Sequence, residues 1–366
     1  MSAFPIHIRC APGLEAIVTD EVRALGLPAE ALGAGVSSEG NVADVQRLNL
    51  ELGCAQRVLV RVAERKAGKL DKLESKTGSI AWNKWVAPHQ SLTIAVKSQR
   101  SRLYHSGAVD ERVRRAIGER IGGWAPDGVS GARLEVRVQG DSVTYWIDSS
   151  GEALNRRGYR LETAKAPLRE DLANALIRSS GWDRQTPLVD PMMGSGTLPI
   201  EAARMARGIA PGVDREFAFE SFPTFEREAW DTMKAAARER AKDALPFPIH
   251  GSDRDAGAIG IATRNAERAG VASDLTLTQA AISAAPFPEG PSGVLVTNPP
   301  WGGRLGKGRD LRPLYQTLGK LADEHPGWAL AFVATKGRLA GQVEGSEKVL
   351  ATNQGGRDIA FYERGV

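Results

Sequence analysis

Three short stretches of this chain hold residues whose types and order suit group-transfer chemistry. In the first, the apolar run Pro187 to Val189 enters a tight turn carrying Asp190, Pro191 and the loop Gly194-Ser195-Gly196. A helical pattern then begins at Thr197. No Lys-Ser/Thr follows the second glycine, so a phosphate loop would lack its cation. The acid stands before the glycines, where it attracts a positive amine rather than a phosphate. A cofactor with an ammonium and a nucleoside fits this better than a dinucleotide. The second stretch, from Ile249, is predicted to be a strand ending in Asp253, with Arg254 beside it a further candidate for cofactor binding. A carboxylate there, one βα unit on, suits ribose hydroxyls, which donate to it. The third, Val294-Leu-Val-Thr-Asn-Pro-Pro-Trp, ends a buried strand in a stiff loop tipped by Trp301.

A lone Gly-x-Gly or Asn-Pro-Pro is an ordinary turn after a strand. In this order, however, the three resemble a class I S-adenosylmethionine-dependent methyltransferase acting on an exocyclic or amide nitrogen. The donor is intrinsically reactive, so the protein's main task is positioning. An aryl amine is a poor nucleophile until both its protons are held by oxygen acceptors. Asn298 offers a side-chain carbonyl, and Pro299 a main-chain carbonyl with no N–H to compete. Pro299-Pro300 stiffens the loop. Trp301 offers a stacking face for a flipped base, worth roughly 1–3 kcal/mol.

These groups need a sheet to hold them. The predicted strands at Asp190, Asp253, Leu275–Thr278, Asn298 and Trp328–Thr335 alternate with helical patterns. The tail around Gly355-Gly356 is predicted to be a closing hairpin. A βα series ending in an antiparallel pair makes a mixed seven-stranded sheet covered on both faces, a Rossmann-like α/β domain over residues 153–366. Ala166-Pro-Leu-Arg-Glu is expected to start a helix with proline in its first turn. Phe217, Phe219, Phe222 and Phe225 are expected to pack on the core rather than read a base.

The first 152 residues are predicted to be α+β. Strand Phe4–Arg9, a helix from Leu14 to Leu25, strand Gly35–Val42, a helix from Asp44 and strand Arg57–Ala63 resemble a ferredoxin-like segment. Lys66–Lys76 is basic and polar, and Trp82 and Trp85 are expected in the core. Lys97, Arg100, Arg102 and His105 line a turn before a helix striped by Val109, Val113, Ile117 and Ile121. A hairpin around Gly140-Asp141 closes the region. Set before a methyltransferase, residues of about 40–151 resemble a THUMP domain, an RNA-capture module. Lys97, Arg100 and Arg102 are the candidate phosphate contacts there. Arg156, Arg157 and Arg160 are the candidates in the junction Gly151–Arg160, which has the alternative of a solvated linker.

Composition bounds the rest. The net charge of +4 divides evenly: residues 1–152 hold 20 Lys+Arg and 18 Asp+Glu, and the remainder 28 and 26. Global charge therefore marks no nucleic-acid half, and any basic surface must come from local clustering. No 18-residue apolar run suggests a membrane span. Two cysteines without a CxxC pair suit a reducing cytoplasm, and five histidines without metal-ligand spacing lead us to expect no metal.

Asp190-Pro-Met-Met-Gly-Ser-Gly-Thr, Thr297-Asn-Pro-Pro-Trp-Gly-Gly-Arg-Leu-Gly, Arg156-Arg-Gly-Tyr-Arg and Ala166-Pro-Leu-Arg-Glu together resemble the bacterial large-subunit ribosomal RNA guanine-N2 methyltransferase L family. That resemblance implies that S-adenosylmethionine is the cofactor. Asp190 and the 194–197 loop would hold its methionine part, Asp253 its ribose, and Asn298 to Trp301 the guanine amine. It also implies an RNA partner, ribosomal RNA before transfer RNA, for a chain expected to be monomeric. Trp301 stands where tyrosine is more usual, and Gln279-Ala280 where an acid near the adenine is often found. The alternatives are a transfer-RNA guanine-N2 methyltransferase and a catalytically silent RNA-binding or assembly protein.

Overall fold

The computed structural model describes residues 3–124, 131–164, 167–302, 310–335 and 338–365. The first half comprises β1 (Phe4–Cys10), α1 (Glu15–Ala24), β2 (Ala29–Ala31), β3 (Gly35–Gly40), α2 (Val42–Glu51) and β4 (Ala55–Lys66). It continues with α3 (Leu70–Gly78), β5 (Leu92–Gln99), α4 (Ser106–Ile121), β6 (Ala132–Gln139) and β7 (Ser142–Asp148). These strands form one seven-stranded sheet in the order β2-β3-β1-β4-β7-β6-β5. Strand β4 is longer than its alternating valines predict. It pairs with β1 from Ala55 to Val60 and with β7 from Leu59 to Lys66, so the ferredoxin-like segment runs into the next without a break.

The basic stretch holds a helix, α3, that its periodicity does not predict. Its buried residues are only Leu73 and Thr77, too narrow a stripe to show a helical period among lysines. Thr77 Oγ1 and Tyr145 Oη share a hydrogen bond of 2.6 Å beneath it. The stripe predicted for α4 is buried as expected, and Gly122 ends that helix with φ +83°.

The second half comprises α5 (Glu170–Ser179), β8 (Leu188–Asp190), α6 (Thr197–Arg207), α7 (Arg227–Glu239), β9 (Ile249–Asp253) and α8 (Ala256–Arg268). After these come β10 (Leu275–Gln279), β11 (Val294–Thr297), α9 (Arg312–Glu324), β12 (Ala329–Thr335), β13 (Glu347–Gln354) and β14 (Arg357–Arg364). The order β10-β9-β8-β11-β12-β14-β13 is parallel through β12 and antiparallel at β14 and β13, the mixed seven-stranded sheet expected. Helix α5 begins at Glu170 rather than at Ala166-Pro167. Arg169 at its N-cap is extended, so Pro167 precedes the helix instead of opening it.

Alternate residues divide this sheet between two cores. Val294, Val296, Ala331 and Val333 join the core shared with the first half. Leu295, Leu330, Phe332 and Ala334 pack against Tyr315, Leu318 and Leu321 of α9. Burial on both faces explains why these strands are continuous apolar runs. Because parallel strands leave β8 in opposite directions toward β9 and β11, a crevice opens at their carboxyl ends.

The halves are welded together. Phe217, Phe219 and Phe222 are buried between them, with Phe222 and Phe4 both edge-on to Trp85 at 5.8 and 5.9 Å. Gly13, at φ +86°, lies against the Ala351 carbonyl of β13 with no room for a Cβ. Trp82 is fully buried and Trp85 half-buried, as their apolar neighbours suggest.

Candidate active site

Asp190 ends β8 and is 1% exposed. Its Oδ1 accepts from the Met192 N–H at 3.1 Å and from the Thr297 hydroxyl at 2.8 Å. Among the described residues nothing donates to Oδ2. Burial pushes the Asp190 carboxyl up to about 7; the two hydrogen bonds oppose the shift and the nearby Asp253 adds to it.

Asp253, at the carboxyl end of β9, accepts from the Gly194 N–H at 3.0 Å through Oδ2 and from the Asp255 N–H at 3.0 Å through Oδ1. It therefore clasps the glycine loop from the neighbouring strand. Gly194 and Gly196 have φ of +53° and +81°, the left-handed region that favours glycine. A Cβ on Gly196 would meet the Ala262 Cβ of α8 at 3.0 Å. The loop is thus set both by its own backbone and by packing of α6 on α8. Pro191 is buried at the turn, and Pro199, in the first turn of α6, takes a position whose N–H has no helical partner. The Ser195 and Ser252 hydroxyls are buried and, among the described residues, lack hydrogen-bond partners.

The acceptor loop joins these groups through Thr297, which precedes Asn298 and bonds Asp190 directly. In the sequence Thr297 reads only as the end of a strand; a hydroxyl immediately before Asn-Pro-Pro is the available signal. Asn298 Oδ1 accepts the Trp301 indole N–H at 3.1 Å. Trp301 is half-buried under Arg357, whose guanidinium lies 6.0 Å from the ring centroid and donates to the Gly302 carbonyl at 3.1 Å. Pro299 is buried and Pro300 half-buried. Gln279 Nε2 donates to the Arg254 carbonyl at 3.2 Å, and the Ala280 N–H to the Asp253 carbonyl at 3.0 Å. The Gln279-Ala280 pair therefore flanks Asp253, while the Arg254 side chain is exposed.

This set of acceptors fits a ligand with one ammonium and a sugar diol: Asp190 Oδ2 for the cation, Asp253 for hydroxyls, and glycines permitting close backbone approach.

Other predicted residues lie elsewhere. Lys97, Arg100 and Arg102 are exposed at the end of β5, as a nucleic-acid contact requires. Two of the three junction arginines are not on the surface. Arg157 is 4% exposed, donates to the Leu154 and Gly53 carbonyls and lies 3.6 Å from Glu201. Arg160 donates to Glu170 at 3.0 Å, the Leu168 carbonyl at 2.7 Å and Thr197 Oγ1 at 3.2 Å. Their guanidiniums neutralise buried carboxylates, so they are corrected from phosphate contacts to interior ties. Only Arg156 stays exposed, paired with Glu152. Tyr159 and Asn174 also donate to Glu201, so the junction, α5 and α6 share one polar knot.

Known proteins share this architecture. The family described as RMKL-like, methyltransferase domain, matches residues 157–354, and the RlmL ferredoxin-like domain matches residues 6–59. Ribosomal RNA large subunit methyltransferase K/L of Syntrophotalea carbinolica is 37% identical over 351 residues, 90% of this chain and 48% of that protein. The chain therefore spans about half the length of that relative. "Putative RNA methyltransferase YpsC" of Bacillus subtilis is 33% identical over 331 residues, 88% of this chain and 86% of that one. Among solved structures, "SMU.472, a putative methyltransferase complexed with SAH" superposes with a TM-score of 0.87 at 28% identity, covering 100% of this chain and 98% of that one.

Proposed function

Because the chain belongs to the RMKL-like methyltransferase family, we propose that it transfers a methyl group from S-adenosylmethionine to the exocyclic N2 of a guanosine in large-subunit ribosomal RNA. When bound, the cofactor supplies a methyl group made electrophilic by its sulfonium. The chain's own residues do the positioning. Asp190 Oδ2 accepts the ammonium, and the remaining lone pairs of Asp253 accept the ribose hydroxyls. Gly194, Ser195, Gly196 and Thr197 cradle the methionine part, and Gln279-Ala280 border the adenine.

Asn298 Oδ1 and the Pro299 carbonyl accept the two protons of the guanine amine, which turns its lone pair toward the methyl group. Asn298 Oδ1 has a second lone pair for the amine proton beside the one that accepts the Trp301 indole N–H, and the Trp301 ring offers the base a stacking face. The proton shed by the methylated amine passes to water. Residues 1–152 hold the RNA, with a THUMP-type module following the ferredoxin-like segment and Lys97, Arg100 and Arg102 on phosphates.

The observation that carries this reading is the buried bond from Thr297 to Asp190, which fastens the amine-acceptor loop to the carboxylate on the ammonium's side. The test is methyl transfer from labelled S-adenosylmethionine to separated ribosomal and transfer RNA from cells lacking the gene, followed by nucleoside analysis. N2-methylguanosine in large-subunit RNA is expected. The same nucleoside in transfer RNA overturns the substrate, and no transfer with cofactor bound overturns the reaction.

A further inference from the structure

The first sheet buries only one of its faces in a hydrophobic core. Along β6, Leu134, Val136 and Val138 are buried among apolar side chains, while Arg133, Glu135 and Arg137 alternate with them and point the other way. Along β7, Val143, Tyr145 and Ile147 lie in that core, and Trp146 points away. Along β1, Ile6 and Ile8 lie in it, and His7 and Arg9 point away. Neither Trp146 nor any of these charged residues belongs to a core cluster.

Register brings the outward residues together. Trp146 lies opposite Arg61 on one side and Glu135 on the other. Lys97 lies beside Arg137. Residues paired in register share a face. The half-buried Trp146 ring has the Arg61 and Arg137 guanidiniums 5.9 and 5.5 Å from its centroid, with His7 edge-on at 5.8 Å. Arg61 and Arg137 are about one-third exposed, and Lys97 and Arg133 are exposed. Glu135 is buried under Arg9 and Arg137 and serves both, and the exposed Glu64 pairs with Arg61 at 3.3 Å. Arg9, Arg57, Arg61, Lys97, Arg133 and Arg137 thus outnumber Glu64, Glu135 and the buried Asp148 on the face that carries Trp146, where Leu59 is also buried. The His7 imidazole is held down to about 4, chiefly by burial and less by the Arg137 and Arg9 charges.

Arginine stems can shield apolar sheet surface from water, which would account for one or two of these side chains. It does not by itself account for two of them meeting over one tryptophan. Guanidiniums bind phosphate in forked geometry and stack on planar rings, and an aromatic platform inside a cationic field is the chemistry of single-stranded nucleic acid binding.

We propose that this open face, centred on Trp146 with Arg61, Arg133, Arg137 and Lys97 around it, binds a single-stranded segment of the RNA substrate. The phosphates lie on the cations and one base on the indole. The proposal rests on the reading that the substrate is RNA, and it extends the binding surface from the turn after β5 onto the sheet.

The test is fluorescence anisotropy with a short unstructured RNA oligonucleotide across a salt titration, using the full chain. Removing one cation that neutralises a phosphate of a single strand lowers the slope of log affinity against log salt by about 0.7. Arg133→Ala with Arg137→Ala should therefore lower it by about 1.4 and weaken binding. Trp146→Ala should weaken binding by roughly 5- to 150-fold at any salt, and Trp146→Phe, which keeps a ring, by less. S-Adenosylhomocysteine affinity should stay at the parental value in the arginine pair and in Trp146→Phe, and melting temperature should stay parental in Arg133→Ala alone, whose exposed side chain serves no buried acid, which separates a binding defect from misfolding. Parental RNA affinity and salt slope in the arginine pair would overturn the proposal and leave the methyltransferase reading intact. If the parental chain binds no RNA but captures an acidic protein through these residues, both the proposal and the RNA reading fall.

Discussion

With Asp190 as the proposed partner of the ammonium, cofactor binding should depend on pH in a direction the structure dictates. Its carboxyl titrates near about 7, raised from 3.8 chiefly by burial. The acid is therefore neutral in the folded protein across several pH units where an exposed aspartate is ionised. The stability this confers is complete below the unfolded value and is lost as pH rises through about 7. Ionising it there costs about 4 kcal/mol, at roughly 1.4 kcal/mol per unit. A ligand ammonium recovers much of that cost, because it pairs with the ionised form alone. One unit below the titration point about one carboxylate in eleven is ionised, so affinity should fall about tenfold for each further unit. S-Adenosylhomocysteine is the suitable ligand, since it keeps the ammonium and cannot react. Calorimetric titrations in two buffers of different ionisation enthalpy should find close to one proton released per ligand below the titration point and none well above it. Asp190→Asn should bind weakly with a flat profile. Affinity unchanged from pH 5 to 8 in the parental chain would refute the assignment of Asp190 to the ammonium, as would a slope that survives in Asp190→Asn.

Asn298→Ala should lower the methylation rate by about 10²–10³-fold with S-adenosylhomocysteine affinity unchanged, as expected for a preorganised polar contact to the reacting group; single-turnover kinetics check this. Thr297→Val keeps the shape but leaves Asp190 Oδ1 short of a donor, so it should cost about 1–3 kcal/mol in denaturant unfolding and weaken cofactor binding. Gly196→Ala forces a Cβ against Ala262 at positive φ and should cost roughly 1–3 kcal/mol, seen as a lower melting temperature. Arg157→Ala strands Glu201 in the interior and should cost about 3–5 kcal/mol in stability. Its RNA salt slope, where folded protein can be measured, should stay parental.

The cofactor half is legible because its signals are local. Positive-φ glycines, an acid at a strand end and a proline-stiffened loop all declare themselves within a few residues of sequence. The continuous apolar runs of β11 and β12 likewise mark strands buried on both faces. Charges are harder. Arg157 and Arg160 sit in a cation-dense string that resembles a surface, yet their partners Glu201 and Glu170 are reached only through the fold. A buried ion pair leaves no mark in composition. Helix α3 is hidden for the opposite reason, since a helix needing only Leu73 and Thr77 inside shows no stripe. The hold of Trp301 on Asn298 is invisible because the motif indicates what the loop offers a substrate, not what occupies it beforehand.

The knot around Glu201 has a mechanical consequence. Arg157 ties Gly53 of the ferredoxin-like segment to the helix that follows the glycine loop, and Arg178 of α5 reaches Glu21 of α1 at 2.9 Å. With the phenylalanine wedge on the other flank, little slack is left for a hinge. The two halves then resemble a caliper whose jaws these contacts hold, with the basic sheet on one and Asn298 on the other. On the function and docking face proposed above, an RNA whose target guanine lies at another distance from its docking strand would not be accommodated by closing the enzyme. The RNA must bend, or unstack its base, to meet the gauge.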